Sequence, residues 1–208
     1  MLRTAGKSYW KGPEAARLFF CRSDFKFGAA MNPSSMVISL PESIAPGVTL
    51  RHDLQPGDMG TMIRLHGIIY AQEYGFDQTF EGYVAAGLAE FAQAFDPGRD
   101  RIWVAEKKGH IIGSIGILNR SAEEAQLRWF LILPESRGLG LGRWMLKEAL
   151  DFCRKKGYRK IYLWTIQNLV VATHLYHSFG FKKTGEKLHP LWGKMIHEEC
   201  YELDLTGR

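Results

Sequence analysis

The 208-residue chain is long enough for one domain with an additional segment, and its 46% hydrophobic content is typical of a globular protein. Residues 1–35 hold six Lys and Arg against two acidic residues, so most of the net charge of +5 lies there. The nearly neutral remainder gives no indication of nucleic acid as a partner, and no apolar run is long enough to cross a membrane. Three scattered cysteines fit neither a disulfide framework nor a zinc site and favour a reducing, cytoplasmic setting.

The first 47 residues show no sustained hydrophobic period and are interrupted by several Gly and Pro residues. We interpret residues 1–47 as a poorly ordered N-terminal extension and residues 48–208 as one domain. Met36 is an alternative start, because the pattern that follows needs nothing before it. A transit peptide is a second interpretation of this basic, acid-poor segment, although it lacks a clean amphipathic stripe.

Hydrophobic periods and turn residues predict an alternation of strands and helices after residue 47. In chain order we predict a strand at 48–53, a helix capped by Asp58 and running to Tyr74, a helix capped by Thr79, hairpin strands at 101–106 and 111–118, a central strand at 125–133, a helix ending before Gly157, a strand at 160–165, a helix capped by Asn168 and running to Phe179, and strands at 181–186 and 194–205. This order predicts an α/β fold with a mixed, mostly antiparallel sheet flanked by helices.

The central strand leads directly into a glycine-rich loop, Arg137-Gly138-Leu139-Gly140-Leu141-Gly142, and then into a helix. Glycines at alternate positions let a ligand approach the backbone, and the free N–H groups at a helix start favour anions. The loop therefore predicts a phosphate-binding cradle. It lacks the Gly-Lys-Ser/Thr ending of an ATP loop and the G-x-G-x-x-G spacing of a dinucleotide loop. A plain strand-to-helix turn is the alternative interpretation.

Two motifs resemble the GNAT N-acetyltransferases: the loop 137–142, and the segment 172–181 with Ala172, Leu175, Tyr176, Phe179, Gly180 and Phe181 at the family's positions. Residues 50–205 more narrowly resemble the acetyltransferase half of MarR–GNAT fusion proteins. That closer likeness is carried by residues 51–58, 126–130 and 191–194. The winged-helix half of those fusions has no counterpart in this sequence. The resemblance implies a GNAT-like sheet of about seven strands flanked by about four helices.

The resemblance implies acetyl-CoA as the co-substrate. The backbone of Leu131, Ile132 and Leu133 would pair with the pantetheine arm, although these residues also suit a buried strand. The loop from Arg137 to Arg143 would hold the pyrophosphate with Gly138, Leu139, Gly140, Leu141 and Gly142, and the two arginines would add positive charge.

The resemblance also assigns Tyr176 as the general acid that protonates the departing thiolate. Because Tyr176 shares an apolar stripe with Ala172, Leu175 and Phe179, a core tyrosine whose hydroxyl is hydrogen-bonded is the alternative. Many family members have an asparagine seven residues before this tyrosine. Leu169 occupies that position here, so we assign no cofactor contact to the neighbouring Asn168.

The sequence does not identify a general base. Glu124 at the edge of the central strand and Glu73 on the first helix are candidates, and proton loss through water needs no fixed residue. His174 and His177 lie three residues apart on a helix with nothing nearby to complete a metal site, so we expect no metal.

The acceptor is expected to lie across the central strand, in a site lined by His66, Tyr70, Arg128, Trp129 and Trp192. We predict an acetyl-CoA-dependent N-acetyltransferase that acts on a primary amine of a small molecule or peptide. This interpretation is compatible with a homodimer. The alternatives are a non-catalytic module that senses coenzyme A or docks a partner, and a DNA-associated regulator.

Overall fold

The computed structural model describes residues 38–40 and 45–207. These residues form eight strands and four α-helices, together with one short 3-10 turn at Pro134–Ser136 before the glycine loop. The elements are β1 (Ile38–Ser39), β2 (Val48–Arg51), α1 (Asp58–Tyr74), α2 (Gln78–Ala94), β3 (Arg101–Lys107), β4 (His110–Asn119), β5 (Glu124–Ile132), α3 (Leu141–Lys155), β6 (Lys160–Ile166), α4 (Val170–Ser178), β7 (Lys182–Leu191) and β8 (Lys194–Asp204).

The strands form one sheet in the order β1-β2-β3-β4-β5-β6-β8-β7. Every neighbouring pair is antiparallel except β5 and β6, which are parallel. The prediction of a mixed, mostly antiparallel sheet with four flanking helices is therefore confirmed.

The sheet separates two hydrophobic cores, because alternate residues of a strand face opposite sides. One core joins β2–β6 to the buried faces of α3 and α4, and includes Trp103 and Met145. The other joins α1 and α2 to the opposite face, and includes Ile102 and Leu88. The adjacent residues Ile102 and Trp103 thus face different cores.

The domain begins before the predicted boundary at residue 48. Strand β1, which lies within the predicted extension, pairs antiparallel with β2 through Ile38 opposite Leu50. Leu40 and Ala45 are buried in the first core. A two-residue edge strand has no detectable period, which explains why the sequence did not reveal it. Most of the predicted extension, residues 1–37, lies outside the described part of the chain.

Asp58 is not the side-chain cap predicted for α1, whose N-cap is Gly57. The Asp58 carboxylate instead forms a buried ion pair with Arg51, with Nη1 2.7 Å from Oδ2. Arg51 also contacts Glu106 on β3, with Nη2 2.9 Å from Oε1. A buried guanidinium requires such partners, so this cluster fixes the start of α1 against β2 and β3.

Two other predicted caps are also wrong. Helix α2 begins at Gln78, and its cap is Asp77, whose side chain accepts a hydrogen bond from the Thr79 N–H. Helix α4 begins at Val170 after Leu169 and has no side-chain cap, so Asn168 does not cap it. Asp77 and Thr79 are both cap-forming residues near the start of α2, which made the local signal there ambiguous.

The central strand β5 has an irregularity at Trp129, whose φ of 50° lies in the left-handed region. The pairing register with β4 shifts between Ser114 and Gly116, and the Ser114 hydroxyl donates to the Trp129 carbonyl at 2.7 Å. Strand β5 pairs with β6 only through residues 124–126. From Leu127 onward the two strands separate, as expected where a bulge bends one strand. The sheet is therefore open at the carboxyl end of β5.

Candidate active site

The glycine loop presents a continuous row of unused backbone donors. Arg137 closes the preceding turn through its N–H to the Pro134 carbonyl, and the next backbone bond is from Trp144 to Gly140. Within the described part of the chain, the six N–H groups from residue 138 to residue 143 have no protein acceptor. The row curves around the start of α3, which suits a diphosphate group.

Two loop glycines adopt backbone angles that other residues rarely adopt. Gly138 has φ 79° and Gly140 has φ 81°. No atom lies within 4 Å of a Cβ built on Gly138, so the space in front of the loop is open. A phosphate cradle requires such an open loop, in which the backbone can be approached from outside.

The open edge of β5 exposes backbone groups, but not at all three predicted residues. Leu133 donates its N–H to the Ile112 carbonyl at 2.9 Å, and its own carbonyl accepts from Ser136 at 2.9 Å. The backbone N–H and C=O groups of successive residues point to opposite sides of a strand. Because those of Leu133 point towards β4, those of Ile132 and Phe130 point away from β4 and into the opening. Of the three predicted residues, Ile132 is therefore the one that faces the opening, and Arg137 donates to its carbonyl.

Both predicted arginines lie beside the loop and are held by protein groups. The Arg137 guanidinium contacts Glu73 on α1 at 2.8 Å and donates to the Ile132 carbonyl at 3.0 Å. Arg143 donates to the Ser178 hydroxyl at 3.0 Å at the end of α4. Glu73 is thus the ion-pair partner of a loop residue, which argues against its role as the base.

Tyr176 lies where α4 meets the glycine loop and the open edge. Its ring packs against Phe130 of β5 at a centroid distance of 6.3 Å and against Phe181 at 5.7 Å. A Cβ built on Gly142 would lie 3.7 Å from Phe130 and 3.6 Å from Leu175, which precedes Tyr176. The structure therefore places Tyr176 against the open edge of β5, and the preceding Leu175 beside the glycine loop.

The surroundings of Tyr176 keep its hydroxyl protonated. The side chain is buried, and burial, followed by the nearby Tyr70, raises its pKa above the ordinary value. Its hydroxyl makes no hydrogen bond to any described residue, unlike that of Tyr158, which donates to the Arg99 carbonyl at 2.9 Å. A purely structural tyrosine was expected to have a bonded hydroxyl, so the core interpretation is weakened.

Tyr176 also lines a cavity of about 130 Å³ between the sheet and the helices α1 and α2. All five residues proposed from the sequence for the acceptor site line the same cavity: His66, Tyr70, Arg128, Trp129 and Trp192. Tyr176 therefore lies between this cavity and the open edge of β5.

Glu198 of β8 is the one carboxylate that lines this cavity in the described part of the chain. Its Oε2 atom lies 2.7 Å from Nε2 of His189 on β7. The sequence candidate Glu124 instead contacts Lys160 at 2.7 Å, where β5 and β6 are still paired. Sequence reasoning missed Glu198 because only the pairing of β8 with β6 brings it to the cavity.

His66 is buried and neutral. Its Nδ1 lies 2.8 Å from the Met62 carbonyl, which accepts the ring proton and leaves Nε2 as an acceptor. Burial lowers the pKa of His66 from 6.5 to about 4, against the smaller opposing effect of the Met62 bond.

The described residues contain no cluster of three or more His, Cys, Asp or Glu side chains that could hold a metal ion. They also contain no helix that is long and apolar enough to cross a membrane.

Residues 68–181 match the acetyltransferase (GNAT) family. The matched range includes the central strand, the glycine loop and Tyr176. An uncharacterized N-acetyltransferase of Schizosaccharomyces pombe is 34% identical over 122 residues, which are 58% of this chain and 74% of that protein. The chain belongs to the acetyltransferase (GNAT) family. Membership confirms the predicted enzyme class, an acetyl-CoA-dependent N-acetyltransferase.

Other relatives of this GNAT protein match over shorter parts of their length. Human N-acetyltransferase 8B is 32% identical over 99 residues, which are 45% of this chain and 44% of that protein. An uncharacterized N-acetyltransferase of Escherichia coli is 31% identical over 115 residues, 53% of this chain and 68% of that protein. The chain thus spans less than half of the human relative.

Solved structures agree with the fold of this GNAT protein. A GNAT-family acetyltransferase from Staphylococcus aureus has a TM-score of 0.63 at 18% identity and covers 76% of this chain and 99% of its own. An acetyltransferase from Salmonella typhimurium, solved with its cofactor acetyl-CoA, has a TM-score of 0.58 at 18% identity and covers 78% of this chain and 96% of its own.

Replacing Gly140 by Asp tests the cradle. The carboxylate would lie beside the row of free N–H groups and repel bound phosphates, so we expect the increase in melting temperature caused by acetyl-CoA to be largely lost. Gly140→Asn is the matched control, because it has the same shape and the same left-handed strain without the charge. Equal increases in melting temperature for the wild type and Gly140→Asp would contradict the cradle.

His66 should make stability depend on pH. Because its folded-state pKa is lowered to about 4, the unfolded chain binds the proton first as pH falls below 6.5, and stability is lost down to pH 4. The contribution is on the order of 3 kcal/mol. In denaturant unfolding, His66→Gln should lose less stability than the wild type between pH 7 and pH 4. The exposed His110→Gln should behave like the wild type, and identical curves for all three proteins would reject the assignment.

Proposed function

We propose that this GNAT protein transfers the acetyl group of acetyl-CoA to a primary amine of a small molecule or peptide. The observation that carries the proposal is the position of Tyr176, which lines the acceptor cavity and packs against the open edge of β5. The Tyr176 side chain would thereby reach both the acceptor in the cavity and the thioester end of acetyl-CoA at the open edge of β5.

The described residues fit the shape and charge of acetyl-CoA. The six free N–H groups from 138 to 143 suit the diphosphate, and the Ile132 N–H and the Phe130 backbone groups are available to the amide-containing arm. An arm that runs along the open edge of β5 would end beside Tyr176. When bound, the co-substrate supplies a thioester whose carbonyl carbon accepts an amine.

The reaction requires two proton transfers. The amine must lose a proton before its nitrogen can attack the thioester carbonyl, and the departing sulfur gains a proton as the C–S bond breaks. Tyr176 donates to the sulfur, because it lines the cavity and packs beside the open edge of β5, where the thioester would lie. Glu198 accepts the proton from the amine, since it is the cavity-lining carboxylate of the described residues.

Three finer predictions accompany this proposal. The likeness of residues 50–205 to the acetyltransferase half of MarR–GNAT fusions stays a prediction. So do the cytoplasmic setting and the homodimer. A module that only sensed coenzyme A would show the increase in melting temperature with acetyl-CoA but no release of thiol with any amine.

Tyr176→Phe removes the hydroxyl and keeps the packing of the ring. Because the hydroxyl makes no protein hydrogen bond, we expect a change in unfolding free energy well below about 1 kcal/mol. Turnover, measured by thiol release, should fall roughly ten- to a thousand-fold, since general acids contribute a factor of about 100 or more.

Tyr158→Phe is the matched control for this experiment, because the Tyr158 hydroxyl is bonded to Arg99 and Asn119 at a distance from the cavity. It should lower stability and leave the turnover of the folded protein intact. Unchanged turnover in Tyr176→Phe would remove the general-acid role.

Glu198→Gln tests the base. The variant keeps the size of the side chain but cannot take a proton, so kcat/KM at neutral pH should fall about 10- to 100-fold. The difference in kcat/KM between the variant and the wild type should shrink as pH rises towards the pKa of the amine. At higher pH more of the amine is already deprotonated in solution and needs no base in the site. Glu124→Gln, at the paired end of β5, is the control. A loss that is equal at every pH would indicate a binding role instead.

A further inference from the structure

Among the described residues, Arg128 is the only Lys or Arg whose side chain lines the acceptor cavity. Its guanidinium carbon lies 5.2 Å from the centre of the Tyr83 ring and 5.0 Å from that of Trp129. Two aromatic rings thus flank a permanent positive charge, which limits the positions that the long side chain can adopt.

The helix α2 also approaches this guanidinium closely, at a glycine. A Cβ built on Gly87 would lie 2.9 Å from Nη1 and 3.0 Å from Nη2 of Arg128. Any larger residue at position 87 would displace the guanidinium. The absence of a side chain on Gly87 therefore allows Arg128 to occupy this position in the cavity wall.

Arg128 has no anionic partner in the described part of the chain, whereas Arg51 contacts two carboxylates and Arg137 contacts Glu73. Arg101 also lacks such a partner, but it lies over the rings of Trp103 and Phe152 and does not line the cavity. Arg128 forms no ion pair and no hydrogen bond to another described side chain or backbone group. Because a guanidinium keeps its charge and offers five donors, a ligand in the cavity can satisfy it with a carboxylate.

The opposite charge on the same cavity is that of Glu198, which does not contact Arg128. A cavity with a separate cation and anion matches a ligand with a carboxylate and an ammonium group. The other lining residues include several aromatic side chains, among them Tyr70, Phe80 and Trp164. They suit an apolar or aromatic side chain.

We propose that the acceptor is a free α-amino acid with an apolar or aromatic side chain, whose carboxylate pairs with Arg128. The proposal rests on the proposed function and names the acceptor class of the same site. A polyamine would bring positive charge against Arg128. The amino terminus of a protein has a peptide carbonyl in place of the carboxylate that Arg128 binds.

Three related amines isolate the contribution of the carboxylate: L-phenylalanine, its neutral amide, and phenethylamine, which lacks the carboxylate. For the wild type, kcat/KM measured by thiol release should be about 10- to 100-fold higher for L-phenylalanine than for the other two, as expected for a charged hydrogen-bonded pair. Arg128→Met should abolish this preference, and Arg128→Lys should keep part of it. Arg159→Met, an exposed arginine paired with Glu123, should keep all of it.

A preference of the wild type for phenethylamine, or an unchanged preference in Arg128→Met, would overturn the proposal. Calorimetric titration of L-phenylalanine in the presence of coenzyme A separates acceptor binding from catalysis. If no amine is acetylated, the proposed function fails. The titration then decides independently whether the cavity binds the carboxylate of an amino acid. Binding that Arg128→Met abolishes would support the carboxylate site, and absence of binding to the wild type would refute it.

Discussion

The separation of β5 from β6 is the constraint on which the functional architecture depends. The strands share a parallel pairing only at residues 124–126, and the bulge at Trp129 then turns β5 away. A strand that loses its neighbour leaves backbone donors and acceptors without partners, which is costly unless water or a ligand pairs with them. The cost of the left-handed Trp129 and of the open edge is therefore offset when an extended ligand occupies the opening.

The opening links two layers that are otherwise separated by the sheet. Helices α3 and α4 bring the glycine loop and Tyr176 to one side, while α1 and α2 close the cavity on the other. In a continuous sheet these two regions would not be in contact. The interruption of pairing therefore connects the glycine-loop side of the sheet with the cavity under α1 and α2.

The features that were predicted from the sequence depend on neighbouring residues. The strand and helix order, the glycine loop and the stripe containing Tyr176 are encoded in short-range periods. The features that were missed depend on pairing between distant segments. The pairing of β8 with β6 brings Glu198 to the cavity, and the fold of α1 over the loop pairs Glu73 with Arg137. The register of β4 with β5 determines that Phe130 faces the opening together with the predicted Ile132, whereas Leu131 and Leu133 face β4. No local pattern contains that information.

The ion pair between Glu73 and Arg137 has a consequence for efforts to change specificity. It ties the last turn of α1, which helps to enclose the acceptor, to the first residue of the loop assigned to the donor. Arg137 also holds the Ile132 carbonyl, so a shift of α1 is transmitted to the strand edge. Substitutions on this turn of α1 would therefore also be expected to affect the glycine loop and the edge of β5. The proposed acceptor and donor sites would then have to be redesigned together.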